Sequence, residues 1–276
     1  MSSEMFGFDA FSPREIAAKV ETLGVGKARL PLGTMWMLAM LAGAFIGLGA
    51  LYFTLVRSDP TLGFAVAQVL GGLVFSLGLL LVVVAGAELF TGNNLLAMAW
   101  AAGRISMREV LRNWSVVCAG NLVGAAGLAL LVFLSGHAQM NGGRIAETTM
   151  AIAVAKVELP FWSAFFRGVL CNVLVCMAVW MAIAGRSVVD KAVAIVFPVS
   201  AFVAAGFEHS IANMYFIPLG MLLQGAGVVD AGWPTLTLAG FAGNLVPVIL
   251  GNLVGGSVLV GLVYWVIYVR GRKSGD

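Results

Sequence analysis

The chain has 276 residues, of which 61% are hydrophobic and only 11% are charged. A soluble domain carries roughly 45–50% apolar and about 25% charged residues, so this composition excludes a water-soluble globular protein and indicates an integral membrane protein. The net charge is only +3 and its Lys and Arg residues cluster at the ends of apolar segments, which favours contact with lipid headgroups and argues against nucleic-acid binding.

The amino-terminal segment carries a helix start signal before any apolar run. Ser12 followed by Pro13 is typical of a helix N-cap and first turn. Ile16, Val20 and Leu23 then fall on one face, and Gly24 is expected to end the helix. Residues 1–33 are therefore predicted to form an amphipathic helix on the cytoplasmic side, and not a signal peptide.

Six apolar runs long enough to cross a bilayer follow, at residues 34–56, 65–103, 110–134, 161–184, 188–223 and 241–269. They predict an all-α integral membrane protein with a six-span channel domain over residues 34–269 and a cytoplasmic tail at 270–276. Lys and Arg are more frequent on the side of the amino terminus than on the opposite side. The positive-inside rule therefore places both termini in the cytoplasm. The membrane is expected to be the inner membrane.

The second and fifth runs are too long for single crossings. As continuous helices they would extend roughly 58 and 54 Å, against a hydrocarbon core of about 30 Å. Each contains the pattern A-G-x-E-x-x-x-x-N, at residues 85–93 and again at 205–213. Both runs are therefore expected to break at this pattern.

A second internal match lies in the third and sixth runs, where the pentapeptide GNLVG occurs at residues 120–124 and 251–255. Small residues four positions apart allow close helix contacts. The second copy of each repeated pattern lies three spans after the first, so the two halves must cross in opposite directions. The sequence predicts an inverted 3+3 repeat, about residues 34–136 and 161–269, whose second and fifth helices are broken as in channels and transporters.

Four polar residues of the repeated pattern, Glu88, Asn93, Glu208 and Asn213, are predicted to support the breaks. A carboxylate at a helix break can accept the free backbone N–H groups of the next segment. Direct handling of an ion is the alternative, because an ionised carboxylate inside a bilayer must face a cavity or a partner.

Three further polar residues are candidates for the pathway. His209 lies in the second break, where a hydrogen-bond donor would stabilise an anion and respond to pH, although a lone histidine in an apolar segment commonly only packs. Lys156 lies in a predicted external connection just before the fourth span, where the simplest reading is a solvated loop residue. Asn172 makes either an interhelical hydrogen bond or a contact to the pore.

Other side chains are read more simply. Phe75, Leu79 and Phe202 are consistent with helix packing, and apolar pore constrictions are built from the same residue types. The cysteines, residues 118, 171 and 176, lie in apolar runs without CxxC spacing and are expected to be packed thiols. No cofactor or metal site is predicted.

Four stretches of the chain form a distinctive set: AELFT at residues 87–91, NW at 113–114 followed by GN at 120–121, NVLVCMAVW at 172–180, and GFEHSIANM at 206–214. Together they resemble the formate/nitrite transporter family. The YWVIY stretch at 264–268 is most similar to the formate channels of this family.

The resemblance implies an aquaporin-like protomer in a homopentamer with one pore per protomer. It also implies roles for individual residues. Thr91, Asn172 and His209 would form a central polar site, and Lys156 would lie in the external vestibule. Apolar side chains would narrow the pore, Phe75 and Phe202 externally, and Leu79, Leu89, Phe90 and Val175 internally.

The function implied is a passive, pH-gated channel for formate, passing it as the anion or together with a proton. A nitrite or hydrosulfide channel of the same family is the alternative. The segment 89–94, which contains Gly92, is the expected gate. An intramembrane enzyme is disfavoured, because Ser210 adjoins His209 without a GxSxG elbow and the two histidines are too far apart for an HExxH site.

Overall fold

The computed structural model describes residues 10–270, and within that range every regular element is a helix. The prediction of an all-α protein is confirmed. The described range contains eleven α-helices, linked by turns, loops and short 3₁₀- or π-helical segments: α1 (Pro13–Ala28), α2 (Leu32–Arg57), α3 (Phe64–Leu81), α4 (Leu96–Ala101), α5 (Met107–Leu134), α6 (Arg144–Val157), α7 (Phe161–Ala184), α8 (Val188–Ala204), α9 (Ser210–Gly225), α10 (Leu238–Leu253) and α11 (Val263–Tyr268).

Helix α1 begins at the predicted position but ends later than expected. The Glu15 N–H donates to the Ser12 hydroxyl and the Glu15 carboxylate accepts from the Ser12 N–H, which completes a capping box. The helix continues through Gly24 to Ala28, because Gly24 packs closely against Ala99 and does not terminate the helix. Of the three apolar residues on one face of α1, Ile16 and Val20 are buried, whereas Leu23 is 49% exposed.

Five continuous helical stretches of the described chain are long and apolar enough to span a membrane: α2, residues 64–86, α5, α7, and residues 238–268. The remaining predicted span is divided between α8 and α9, which have 17 and 16 residues. Neither is long enough alone to cross a bilayer core of about 30 Å at 1.5 Å per residue. The chain is a multi-pass membrane protein.

Both predicted breaks are present, at equivalent positions of the two halves. A π-helical turn, Val82–Gly86, ends the α3 run, and α8 ends at Ala204. Gly86 is the last residue of the π-helical turn, and Gly206 lies two residues after α8. Their φ angles are +87° and +69°, values that residues with a Cβ rarely adopt. The chain then passes through an irregular segment before α4 and before α9, so each broken crossing consists of two helical pieces.

The halves also pack alike. Helix α2 packs against α3 and α5, and α7 packs against α8 and α10. The GNLVG glycines make these contacts close: a Cβ at Gly124 would overlap the Met40 carbonyl, and one at Gly255 would overlap the Val169 carbonyl. This is the close approach for which small residues four apart are suited.

Two features of the fold differ from the sequence-based expectation. The connection before α7 is not an open loop, because it contains the 14-residue helix α6, and Lys156 lies in the last turn of that helix. The last span is also irregular, since α10 and α11 are joined by a π-helical stretch, Val254–Leu262. Gly256 in that stretch lies against Asn172, where a Cβ would overlap the amide nitrogen.

Candidate pore and vestibules

The first break is held by the asparagine of the first GNLVG segment. Asn121 Oδ1 accepts from the Phe90 N–H at 2.9 Å. Its Nδ2 donates to the carbonyl oxygens of Ala39 at 2.7 Å and Glu88 at 2.9 Å. One buried side-chain amide thus ties the irregular segment to α2 and α5 and satisfies backbone groups that the helix break leaves free.

The second break is held in the same way by Asn252. Its Oδ1 accepts from the Ser210 N–H at 3.0 Å, and its Nδ2 donates to the carbonyl oxygens of Gly168 at 2.8 Å and Glu208 at 3.0 Å. The atoms correspond to those of the first break, so the inverted repeat extends to individual hydrogen bonds. Sequence reasoning used GNLVG only for helix packing and missed the role of its asparagine.

The carboxylates of the breaks bind side chains instead of backbone N–H groups. Glu88 accepts from Lys27 Nζ and from Asn93 Nδ2, each at 2.6 Å. The backbone N–H of Glu88 donates to the Leu38 carbonyl at 3.2 Å. This differs from the predicted acceptance of backbone N–H groups by the carboxylate, because within residues 10–270 the amide side chains of Asn121 and Asn252 fill that role.

The second carboxylate repeats this arrangement. Glu208 accepts from Lys156 Nζ at 3.0 and 3.1 Å and from Asn213 Nδ2 at 2.6 Å. Its backbone N–H donates to the Arg167 carbonyl at 3.3 Å. Lys156 is therefore an ion-paired residue of the second break and not a freely solvated loop lysine.

Three residues of these clusters were missed from the sequence: Lys27, Asn113 and Asn244. Asn113 accepts from Asn93 Nδ2 and donates to the Lys27 carbonyl, at 2.9 and 3.1 Å. Asn244 makes the same two bonds to Asn213 and to the Lys156 carbonyl, at 2.7 and 2.8 Å. The usable signal was an asparagine eight residues before the asparagine of each GNLVG segment.

The two breaks meet at a buried pair formed by Thr91 and His209. Thr91 Oγ1 lies 3.0 Å from His209 Nε2. His209 Nδ1 accepts from the Ala212 N–H at 3.2 Å, so this nitrogen carries no hydrogen in the arrangement seen. In the neutral ring Nε2 must then carry the hydrogen and donate it to Thr91, which leaves the threonine hydroxyl hydrogen free for a further acceptor.

Asn172 lies beside this pair and makes interhelical hydrogen bonds, one of the two roles considered for it above. Its Nδ2 contacts the carbonyl oxygens of Asn252 at 2.7 Å and Thr91 at 3.2 Å, and Asn94 Oδ1 at 3.1 Å. Both of its N–H hydrogens are therefore occupied by protein acceptors. The side chain fixes the position of Thr91 by holding its backbone.

Two cavities approach the Thr91–His209 pair from opposite ends of the protomer. One, the Lys27 vestibule, has a volume of about 970 Å³ and is lined by Lys27, Glu88, Leu79 and Leu89 among others. The other, the Lys156 vestibule, has a volume of about 240 Å³. Its lining includes Phe75, Phe202, His209, Lys156 and Glu208.

Apolar side chains lie at the inner ends of both vestibules. Phe75 and Phe202 meet edge to face, with ring centroids 5.9 Å apart, and Phe202 stacks on His209 at 5.9 Å. Leu79 and Leu89 are buried and line the Lys27 vestibule. The other two predicted constriction residues, Phe90 and Val175, are also buried but line neither vestibule.

Comparison with known proteins places the chain within one family. The family model described as "Formate/nitrite transporter" matches residues 14–266. The formate channel FocA of Escherichia coli strain K12 is 43% identical over 275 residues, covering 95% of this chain and 96% of the relative. A formate channel FocA of Haemophilus influenzae is 37% identical, with 92% of this chain and 93% of the relative covered.

Solved structures agree. One described as a pentameric formate channel with formate bound superposes with a TM-score of 0.79 at 40% identity, covering 87% of this chain and 98% of that chain. The aquaglyceroporin of Plasmodium falciparum, at 13% identity, covers 84% of this chain and 99% of that chain with a TM-score of 0.52, a likeness of fold alone. The predicted aquaporin-like architecture is confirmed, and the chain belongs to the formate/nitrite transporter family.

Proposed function

We propose that this chain is a passive channel for formate in the inner membrane, working as a homopentamer with one pore in each protomer and with both termini in the cytoplasm. The observation that carries the proposal is the buried Thr91–His209 pair between two lysine-containing vestibules. The relatives named formate channels and the solved pentamer with formate bound give the substrate and the assembly.

The path imposes a clear energetic problem on an anion. A carboxylate that enters between Phe75 and Phe202 loses water, and an unpaired charge in an apolar site is costly. The free hydroxyl hydrogen of Thr91, polarised by the donation from His209, can replace one water. Lys27 and Lys156 line the two entrances, and each is paired with a glutamate.

Two modes of passage fit this geometry. Formate crosses as the anion, stabilised at Thr91 and His209, or it takes up a proton before it crosses the constriction. A simple carboxylic acid titrates roughly near pH 4, so passage with a proton at neutral pH requires a raised pKa or a relay through His209. A transport role is also favoured over an enzymatic one because the named relatives are channels and transporters.

An anion panel tests the proposal. Purified protein in proteoliposomes is given inward gradients of formate, nitrite, hydrosulfide, lactate or chloride at neutral pH, and initial flux is measured by stopped flow or isotope uptake. Formate is expected to give the highest flux, which protein-free vesicles lack. Faster nitrite or hydrosulfide flux would assign the pore to the alternative substrate, and no flux of any anion would contradict a channel.

A further inference from the structure

The Lys156 vestibule contains two arginines, Arg57 and Arg167, in addition to the lysine at the break. Within residues 10–270 neither guanidinium takes part in an ion pair or a side-chain hydrogen bond. The Lys156 charge, by contrast, is balanced by Glu208 at 3.0 Å. The vestibule therefore holds two uncompensated positive charges in a volume of about 240 Å³.

Arg167 departs from the internal symmetry of the protein. The N–H of Glu88 bonds to the Leu38 carbonyl, and the N–H of Glu208 bonds to the Arg167 carbonyl, so Leu38 and Arg167 occupy equivalent positions. Each also lines its own vestibule. An apolar residue at one entrance is thus replaced by a cation at the other, and packing within the protomer does not require that charge.

Arg57 likewise differs in its surroundings from its equivalent. Residues 27, 38 and 39 correspond to 156, 167 and 168 through their hydrogen bonds, and the same offset relates Arg57 to Arg186. The guanidinium of Arg186 lies 4.3 Å from the ring centroid of Phe11 and does not line the Lys27 vestibule. Arg57 lines the Lys156 vestibule and is only half-buried.

We propose that Arg57 and Arg167 form a capture site for small carboxylates at the entrance of the Lys156 vestibule, ahead of the Phe75–Phe202 constriction. A guanidinium offers two parallel N–H donors that match the two oxygens of a carboxylate. Hydrosulfide has no such pair of oxygens. In water each unit charge about 4 Å from an anion raises its local concentration about fivefold. The site raises occupancy at this entrance and favours carboxylates, which deepens the proposed function and rests on it for the identity of the anion.

The charge of the vestibule is tested first, without any transport assay. Ala155 is exposed and lines this vestibule, so Ala155→Cys supplies a reporter thiol. The rates at which this thiol reacts with an anionic and with a cationic methanethiosulfonate are compared. The chain without the reporter gives the background reaction of the three native cysteines. The test variant adds Arg57→Gln and Arg167→Gln, and the matched control adds Arg144→Gln, an exposed arginine outside the vestibule.

The ratio of anionic to cationic rates is expected to fall at least about fivefold in the double variant at roughly 10 mM salt and to stay unchanged in the control. At about 1 M salt, where the Debye length is about 3 Å, the difference should disappear. Arg57→Lys with Arg167→Lys should restore the ratio. An unchanged ratio in pentamers of the double glutamine variant, or an equal fall in the control, overturns the proposal.

Formate transport is tested second. In proteoliposomes the double glutamine variant should raise the half-saturating formate concentration about three- to tenfold with maximal flux unchanged, and the double lysine variant should recover it only in part. If the wild-type chain transports formate, and the double glutamine variant changes neither the half-saturating concentration nor the maximal flux, only the capture-site proposal is contradicted. If the wild-type chain carries no formate while the thiol ratio shifts as expected, the proposed substrate fails and the electrostatic role of the arginines stands.

Discussion

At the scale of single residues, the hydrogen bonds between Thr91 and His209 depend on which of their atoms carry hydrogens. His209 accepts a backbone N–H at Nδ1 and faces Thr91 at Nε2. Protonation of the ring would remove the acceptor for the Ala212 N–H, so the structure favours the neutral form at this position. In the proposed pathway, a histidine held in this way acts on the anion through the hydroxyl hydrogen of Thr91.

Replacement of His209 separates a pathway residue from a packing residue. His209→Asn keeps a polar donor but removes the titratable proton, whereas His209→Phe keeps ring size and removes both nitrogens. The Asn variant should retain formate flux with a flatter dependence between about pH 5 and 8, and the Phe variant should suppress flux in intact pentamers. Both are measured as flux per folded pentamer. Wild-type flux and an unshifted pH profile in the Phe variant would leave His209 with a packing role only.

At the scale of elements, the sequence predicts where the two crossings break but not which side chains hold the breaks in place. Length and the repeated A-G-x-E pattern place each break within a few residues, because a bilayer limits a continuous helix. The sequence does not reveal that Asn121 and Asn252 hold these breaks, since each lies on another helix and its partners are backbone atoms. A hydropathy pattern records them only as polar residues within apolar runs.

Removing either asparagine is expected to destabilise the protein by at least about 2 kcal/mol, because three backbone groups lose their partners in a region without water. Asn121→Ala and Asn252→Ala are compared by the midpoint of thermal unfolding of the purified protein. Gln224→Ala, which removes two backbone hydrogen bonds at a partly exposed loop, is the control and should cost less. A midpoint in either asparagine variant as high as in the control would argue against this support role.

Helix α6 and the true end of α1 escaped prediction for a related reason. Gly24 was expected to stop α1, yet it serves a close contact with Ala99 that only the folded chain shows. The buried face of α6, including Ile145, Met150 and Ala153, packs against α9. Its sequence is less apolar than that of the spans, so a search for apolar runs long enough to cross a bilayer does not find it.

The segment 89–94 is expected to change conformation with pH. Gly92 lies in a 3₁₀ turn, Gly92–Leu95, without a positive φ, and a Cβ there would make only an ordinary contact of 3.5 Å with Val179. This conformer does not require a glycine at position 92. We expect the backbone freedom of Gly92 to be used in a second conformer of the segment. Gly92→Ala should fold normally and weaken the pH response of formate flux.

Hydrogen exchange provides the independent check of this gate. Amides across residues 88–95 should exchange faster than those of α5 or α7 at one end of the range from about pH 4 to 8. Exchange as slow as in the spans at every pH would contradict a gate at this segment.

At the scale of the whole molecule, the outer faces of the spanning helices are strongly apolar. Large exposed side chains include Leu131, Leu134, Phe166 and Phe197, each at least 59% exposed in the isolated protomer. In a bilayer such faces meet lipid or a second protomer. Five chains of 28.8 kDa are expected to associate into a pentamer of about 140 kDa of protein, measured by native mass spectrometry. A monomer or tetramer as the sole species would contradict this assembly.

The most direct measurement of the central claim, that each protomer contains its own formate path past the Thr91–His209 pair, uses mixed pentamers. Wild-type and His209→Phe chains are co-expressed in graded ratios, their composition is determined by native mass spectrometry, and labelled formate flux is measured in proteoliposomes. Flux should fall in direct proportion to the fraction of variant chains. Complete loss with one variant chain per pentamer, or flux independent of composition, would contradict a path within each protomer.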